Sequence, residues 1–194
     1  MIAQLQHLKM SVEAYLALDR ESSDTRYEYI DGYAYLLVGG TPIHSLIAAN
    51  LIGEIKARLR GSSCQIYTSD AKVRLSHSRY VYPDVTVSCD ERDRTSDAEV
   101  LQYPRLVIEI LSPSTEAYDR GNKSSYYRAC PTIHEYVLVN IERSSVEVYR
   151  RTTDKLWTLY PFERGEQVAL ASIGVTLPVT AIYENVKLPE DTTD

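Results

Sequence analysis

The sequence predicts an α/β protein in which a central mixed β-sheet is flanked by helices and preceded by an extra N-terminal hairpin. Three observations predict it: an alternating hairpin pattern, an amphipathic helix after it, and apolar strand-like runs interrupted by one more helix. Sheets and helices of this kind bury their apolar faces in layers. With 194 residues, 44% of them hydrophobic, we expect a single domain over 1–194, with its core at about 11–185 and a polar C-terminal tail.

Helix and hairpin signals fill the first third of the chain. Ser11 is a suitable N-cap for a short helix, and Asp31-Gly32 favours a two-residue turn inside "RYEYIDGYAYLLVGG". The clearest helix follows, with Thr41 at the N-cap, Pro42 in the first turn and Gly61 just past its end. Its apolar stripe consists of Ile43, Leu46, Ile47, Leu51, Ile55 and Leu59.

Strands and one more helix make up the rest of the pattern. Strand-like runs lie at 64–69, 71–75, 81–88 and 105–111, with a polar loop before the last of them. A helix is expected from Ser114 to about Cys130, capped by its first residue or the next. The later runs "EYVLVN", "SVEVYR" and "LWTLYP" are typical of a strand and its hairpin partners.

Composition narrows the functional class. The net charge of −6 is unusual for a dedicated nucleic-acid binder, although an enzyme can meet a polyanion through a local patch and a metal ion.

Cys64, Cys89 and Cys130 are too few and too unevenly spaced for a disulfide framework or a zinc site, which predicts a reducing compartment. No apolar run has membrane-spanning length, and the N-terminus lacks a signal-peptide pattern. We therefore expect a cytoplasmic protein with no membrane partner.

One acidic residue interrupts an otherwise apolar strand, "RLVIEILSPST". An ionised carboxylate taken out of water costs several kcal/mol unless it is paired, hydrogen-bonded or bound to a metal ion. Strand alternation allows Glu109 and Asp84, of "RYVYPDVTV", to meet on one face if their strands are neighbours. Two such carboxylates repel unless a cation lies between them, and Mg²⁺ or Mn²⁺ prefers oxygen ligands.

A cation can reach this pair from the helix expected between Ser114 and Cys130. Asp119, Lys123, Tyr126 and Tyr127 share a helical face at i, i+4, i+7 and i+8, so that Lys123 can lean over the carboxylates. A lysine beside a metal-bound water can orient hydroxide and offset the negative charge that builds on a phosphate. One metal ion, two carboxylates and one lysine suit the hydrolysis of a phosphodiester bond.

Several motifs carry a resemblance to a known family. "PD" at 83–84 followed by an acid in an apolar strand resembles the PD-(D/E)xK phosphodiesterase superfamily. The segments "YEYIDG", "TPIH", "YVYPDVTV", "VIEILSPST", "DRGNK" and "HEYVLVN", in this order, resemble the bacterial Uma-two family (domain of unknown function 820) over roughly residues 11–185. The resemblance implies a restriction-endonuclease-like fold with a divalent-metal site at the split edge of its sheet.

The resemblance also implies roles for individual residues. Asp84 and Glu109 become the metal ligands, for Mg²⁺ or Mn²⁺. The superfamily's lysine usually lies two residues after the acid, where this chain has Leu111, and Lys123 is the expected substitute. Glu28 matches a further family acid that ligates the metal ion or orients groups through water.

His44 lies where the family often has a histidine, and it can act in the site or make a structural hydrogen bond at the start of its helix. Taken together, the resemblance predicts a metal-dependent endonuclease that acts on nucleic acid, with DNA as the first candidate. Two-fold-related copies could cut both strands of a duplex, so a homodimer is expected.

Two alternatives stay open on the sequence. Glu109 can instead be a core carboxylate paired with Lys123, Lys72 or Arg74, in which case the fold is a catalytically inactive module that binds nucleic acid or a protein partner. Ser112 or Ser114 can be the nucleophile of a different hydrolase, although no histidine is near in sequence.

Overall fold

The computed structural model describes residues 7–22, 24–37, 39–153 and 156–189. Its helices are α1 (Val12–Glu21), α2 (Pro42–Arg58), α3 (Glu116–Tyr118), α4 (Ser124–Ala129) and α5 (Val179–Ile182). A π-helical turn at Asp119–Lys123 joins α3 to α4, and short 3₁₀ turns lie at Glu91–Arg94 and Ala171–Ile173. None of the described helices is long and apolar enough to cross a bilayer.

The described strands form three sheets. The first contains β1 (His7–Lys9), β2 (Tyr27–Ile30), β3 (Tyr33–Leu36), β5 (Val73–Ser76) and β6 (Arg79–Val81), in the order β1-β3-β2-β6-β5. The second contains β4 (Gln65–Thr68), β7 (Val85–Ser88), β8 (Pro104–Ile110), β9 (Glu135–Val139), β10 (Ser145–Arg151) and β11 (Trp157–Glu163), in the order β11-β10-β9-β8-β7-β4. β12 (Gln167–Leu170) and β13 (Val175–Pro178) form a separate pair.

The six-stranded sheet is mixed, as the sequence predicts. β8 and β9 run parallel, while the other neighbouring pairs of this sheet are antiparallel. Parallel neighbours need a crossover connection, and α3, the π-helical turn and α4 provide it. The N-terminal hairpin of β2 and β3 belongs to the other sheet.

The local signals around the hairpin and the long helix are confirmed. Asp31 and Gly32 have φ angles of 47° and 100°, which a two-residue turn with both central residues left-handed requires. The Thr41 side chain accepts a hydrogen bond from the backbone N–H of His44, and Ser11 caps α1 in the same way.

The prediction of one strand over 81–88 is wrong, because this segment contains the end of one strand and the whole of the next. β6 ends at Val81 and β7 begins at Val85, and the two strands lie in different sheets. Pro83 lacks a backbone N–H, so it cannot donate to a continuous ladder. The break carries the chain from one sheet to the other and leaves Asp84 between them.

The two faces of β8 pack against different cores. Leu106, Ile108 and Ile110 lie in the cluster that contains the buried face of α2, whereas Val107 and Leu111 pack with Tyr127 and other residues on the opposite face. The predicted alternation of this strand is therefore confirmed.

Two other apolar positions differ from the prediction. Leu46 was placed in the buried stripe of α2 but is 38% exposed, because the stripe in contact with the sheet is narrower. Leu188, in the segment predicted as a frayed tail, is 1% exposed and packs into the core. The tail from residue 190 onward lies outside the described residues.

The helix predicted over 114–130 is confirmed from Glu116 to Ala129, but it contains a π-helical turn and is not capped as expected. Thr115 makes no capping hydrogen bond, and the π-helical turn widens the middle of the segment. Asp119 and Lys123, at the two ends of that turn, are both buried. Such turns occur frequently at functional sites, and here tertiary contacts override the regular helical pattern.

The prediction of reduced cysteines is wrong for one pair. Cys64 and Cys89 form a disulfide, whereas Cys130 is free and buried. β4 and β7 pair with Gln65 opposite Ser88, so the two cysteines are the next residues in register. The two cysteines are 25 residues apart in sequence, and the pairing of β4 with β7 brings them together. The spacing of the cysteines alone does not predict this disulfide.

Candidate active site

Asp84 and Glu109 meet where β7 and β8 lie side by side. Val85 pairs with Ile108, so continuing the antiparallel register by one residue sets Asp84 opposite Glu109. Oδ2 of Asp84 accepts a hydrogen bond of 2.7 Å from the backbone N–H of Ile110. The structure thus brings together the two carboxylates that the sequence singled out.

Lys123 reaches this pair from the π-helical turn. Its Nζ lies 3.0 Å from Oε1 of Glu109 and 3.0 Å from Oε1 of Glu28, and 4.0 Å from Oδ1 of Asp119. The lysine side chain is 9% exposed and the glutamate side chains are 5% exposed. One ammonium group therefore forms ion pairs with three carboxylates that are almost completely buried.

Glu28 joins the site from β2 of the five-stranded sheet. Its Oε1 accepts a hydrogen bond of 3.2 Å from the backbone N–H of Tyr82, two residues before Asp84. Glu28 therefore contacts both Lys123 and the chain segment that positions Asp84.

Of the three basic partners considered for Glu109, Lys123 is the one it contacts. Lys72 forms an ion pair of 2.6 Å with Asp19, and Arg74 donates to Gln102. Lys72 and Arg74 therefore have partners outside the carboxylate cluster.

Tyr127 is a site residue to which the sequence assigned no role. Its hydroxyl donates a hydrogen bond of 2.5 Å to Oε1 of Glu109. The available signal was its position four residues after Lys123, on the same helical face. Tyr126, also expected on that face, packs against the same core cluster as Tyr127, and the guanidinium of Arg79 lies 4.2 Å from the centroid of its ring.

His44 completes the surroundings of Asp84. Its Nε2 lies 3.1 Å from Oδ2 of Asp84, which places the histidine at the site rather than only at its own helix start. The hydrogen bond to Asp84 raises the pKa of His44 above its ordinary value, against the opposing effect of burial.

Negative charge exceeds positive charge in this cluster. Burial raises the pKa of Glu109 to about 8; Lys123 opposes this shift, while Asp84, Asp119 and Glu28 add to it. Burial also raises the pKa of Asp119, to about 6. Burial lowers the pKa of Lys123, but the charges of the surrounding carboxylates outweigh it and hold that pKa well above its ordinary value. The lysine stays cationic, and its single charge compensates the surrounding carboxylates only in part.

A cavity of about 810 Å³ gives access to these residues. Its lining includes His44, Asp84, Glu109, Asp119 and Lys123. Asp84 is the more accessible of the two central carboxylates, with 19% of its side chain exposed. A ligand entering the cavity therefore meets the charged cluster directly.

The chain is similar to known proteins in both sequence and fold. The profile of the Uma2 family, described as "Putative restriction endonuclease", matches residues 12–180. The chain belongs to the Uma2 family. The resemblance seen in the sequence motifs is thus confirmed over most of the chain.

Relatives of this Uma2 protein include two from Synechocystis sp. Uncharacterized protein slr1290 is 37% identical over 179 residues, 92% of this chain and 93% of that protein. Uncharacterized protein sll1609 is 30% identical over 145 residues, 73% of this chain and 82% of that protein. Neither description names an activity.

A solved structure confirms the fold class. The crystal structure of "a putative nuclease belonging to DUF820" from Anabaena variabilis superposes with a TM-score of 0.70 at 18% identity, covering 86% of this chain and 94% of that chain. The Uma2 protein therefore has the α/β, restriction-endonuclease-like fold that the sequence predicts.

Two arginines of the helical segment that carries Lys123 are engaged in internal contacts. Arg120 donates to Glu116 and, through both terminal nitrogens, to Glu147, and Arg128 donates to the Ser124 hydroxyl. These arginines tie the helical segment to β10 and to itself.

The loop serines lack the partners of a nucleophile. The Ser112 hydroxyl lies 3.0 Å from the hydroxyls of Ser114 and Thr115. A nucleophilic serine needs a base within hydrogen-bonding reach, and these contacts supply other hydroxyls instead.

The donor set was tested for its fit to a divalent cation. Among the described residues, no group of three or more His, Cys, Asp or Glu side chains is arranged to hold a metal ion. Mg²⁺, however, usually takes one or two carboxylates and completes its shell with waters and substrate phosphates. Asp84 and Glu109, in a cluster whose carboxylates outnumber its cationic groups, fit such an open site.

Proposed function

We propose that this Uma2 protein is a metal-dependent nuclease that hydrolyses phosphodiester bonds in DNA with Mg²⁺ or Mn²⁺. The observation that carries the proposal is that Asp84, Glu109 and Lys123 line one accessible cavity, with Lys123 in contact with Glu109. A substrate phosphate would add negative charge to a cluster that already has too much of it. A divalent cation held by Asp84 and Glu109 would offset that negative charge.

In this mechanism Asp84 and Glu109 hold the ion. When bound, the ion polarises phosphoryl oxygens and lowers the pKa of a ligated water. Both described contacts of the Asp84 carboxylate, from Ile110 and His44, are made to Oδ2, so the orientation of this side chain is fixed before any ligand binds.

Lys123 supplies positive charge to the phosphate that is cleaved. Because it stays protonated among the carboxylates, it stabilises developing negative charge and does not remove a proton. Glu28 is a second partner of the lysine, with its Oε1 3.0 Å from Nζ of Lys123. Leu111, at the position where the superfamily usually has this lysine, is buried in the apolar core, and Lys123 reaches the same acid from the helix.

One observation favours a second candidate, a catalytically inactive module that binds nucleic acid or protein. Lys123 contacts both glutamates, so Glu109 already has the compensation that a structural core carboxylate requires. Metal affinity distinguishes the two candidates, because a purely structural ion pair does not need an accessible cation site.

The deciding experiment is a manganese titration read by the paramagnetic resonance of the free ion. We expect wild type to bind Mn²⁺ saturably and Asp84→Asn to lose this binding. Asp97→Asn is the matched control, because Asp97 is exposed and does not line the cavity. Equal binding by wild type and Asp84→Asn, without and with a short DNA duplex, would refute the metal site.

Activity is then measured on supercoiled plasmid and on single-stranded DNA, with Mg²⁺, Mn²⁺ or EDTA. We expect cleavage that needs the metal ion and disappears in Asp84→Asn. Saturable metal binding without cleavage of any nucleic acid would keep the metal site and refute the proposed reaction.

The proposal extends to the organisation of the protein. We infer a single-domain subunit that forms a homodimer, which sedimentation at several concentrations tests directly. We also infer a cytoplasmic location, because the proposed substrate is DNA. The cysteines do not support this location, since Cys64 and Cys89 form a disulfide.

A further inference from the structure

The two oxygens of Glu109 have different surroundings. Oε1 accepts hydrogen bonds from the Tyr127 hydroxyl at 2.5 Å and from Nζ of Lys123 at 3.0 Å. Among the described residues, none of the hydrogen bonds or ion pairs of Glu109 involves Oε2. Glu109 also lines the cavity, so one oxygen is held from inside the protein while the carboxylate borders accessible space.

Tyr127 is held firmly enough to fix that oxygen. Its side chain is 0% exposed, and its ring packs against that of Tyr136 with centroids 4.8 Å apart. The Tyr136 hydroxyl donates to the backbone carbonyl of Asp119 at 3.1 Å. The two tyrosines thus connect the strand, the π-helical turn and the carboxylate of Glu109.

We propose that Tyr127 is a positioning residue for the metal site, an inference that rests on the proposed function. Its hydroxyl, with the ammonium of Lys123, holds Oε1 of Glu109 so that Oε2 is kept for a cation in the cavity. A ligand carboxylate that is already oriented loses less conformational freedom when the ion binds. Removal of such an outer partner typically costs about 10–100-fold in metal affinity or activity.

The test is Tyr127→Phe, which removes only the hydroxyl, measured by Mn²⁺ titration of the intact protein. We expect the dissociation constant to rise at least about tenfold. Tyr183→Phe is the matched control: Tyr183 is also a buried tyrosine, its hydroxyl donates to backbone carbonyls, and it packs in the core on the opposite face of the sheet. The control should keep wild-type affinity.

The outcomes separate this inference from the proposed function. If Asp84→Asn loses Mn²⁺ binding but Tyr127→Phe keeps wild-type affinity, the positioning role is refuted and the metal site stands. If wild type binds no Mn²⁺ even with a DNA duplex, the proposed function fails first and the role of Tyr127 fails with it.

A second measurement keeps the hydroxyl and so does not depend on whether the phenylalanine variant folds. With 3-fluorotyrosine incorporated at position 127, the ¹⁹F resonance should move as Mg²⁺ is added and saturate together with Mg²⁺ binding. The same label at position 183 should not respond. A resonance at position 127 that stays unchanged at saturating Mg²⁺ would refute the role.

Discussion

Nζ of Lys123 lies 3.0 Å from Oε1 of Glu109, and both side chains are almost completely buried. The lysine comes from a helical turn and the glutamate from the central sheet, so the ion pair joins two layers of the fold. Burying two charges costs desolvation energy that their attraction only partly returns, but removing one partner leaves the other uncompensated. The pair therefore affects stability as well as the proposed chemistry, and the two effects can be separated by experiment.

The first prediction concerns Lys123→Met. It leaves Glu28 and Glu109 without their shared cation, so we expect the free energy of unfolding to fall by about 3 kcal/mol in metal-free urea titrations. Lys187→Met is the control, since Lys187 is exposed, and should change stability by less than about 0.5 kcal/mol. Adding Glu109→Gln to Lys123→Met should recover part of the loss. If Lys123→Met were as stable as the control Lys187→Met, the buried ion pair would be contradicted.

The second prediction is a pH dependence of stability without metal. The pKa of Glu109 is raised to about 8 and that of Asp119 to about 6, from ordinary values of 4.5 and 3.8. Between about pH 4 and pH 8 the folded state therefore binds more protons than the unfolded state, so these groups lower the stability as pH rises.

Thermal unfolding in EDTA at pH 5, 6, 7 and 8 measures this dependence. Glu109→Gln should remove the part of the decline that lies between pH 6 and pH 8, because glutamine does not titrate. A variant as pH-dependent as wild type in that interval would assign the decline to other groups.

The third prediction reverses this effect with metal. At pH 8, a ligand that binds only the folded protein raises its stability, by about 2.7 kcal/mol at a concentration 100 times its dissociation constant. Mn²⁺ should therefore raise the melting temperature of wild type and of Asp97→Asn but not that of Asp84→Asn. An equal rise in all three would indicate non-specific binding to an acidic protein.

Local chemistry explains what the sequence could predict. The turn at Asp31-Gly32, the cap at Thr41 and the alternation along β8 depend on neighbouring residues, and the structure has all three. The proximity of Asp84 and Glu109 was also predictable, because strand alternation places both acids on the same face once their segments are neighbours.

Long-range packing explains what the sequence could not predict. The contact of Tyr127 with Glu109 depends on how the helical crossover settles on the sheet, and the π-helical turn there departs from regular periodicity. The disulfide depends on strand register, which cysteine spacing does not contain. The break at Pro83 had a visible signal, yet its consequence, a change of sheet, is a property of the whole fold.

The fourth prediction concerns the disulfide between Cys64 and Cys89. It closes a loop of 25 residues, and the loss of loop-closure entropy in the unfolded chain predicts a stabilisation of about 3 kcal/mol. Urea unfolding of wild type with and without dithiothreitol measures it, and Cys64→Ala without reductant should behave like reduced wild type. Before reduction, thiol titration of the denatured protein should find one thiol, from Cys130.

The same reduction should leave the metal site intact. Cys89 follows β7 and Asp84 precedes it, so the disulfide and the carboxylate lie at opposite ends of one strand. We therefore expect reduced wild type, at urea-free conditions where it stays folded, to bind Mn²⁺ with the affinity of the oxidised protein. A loss of affinity on reduction, with the circular dichroism spectrum unchanged, would show that the register of β7 and β4 controls the position of Asp84.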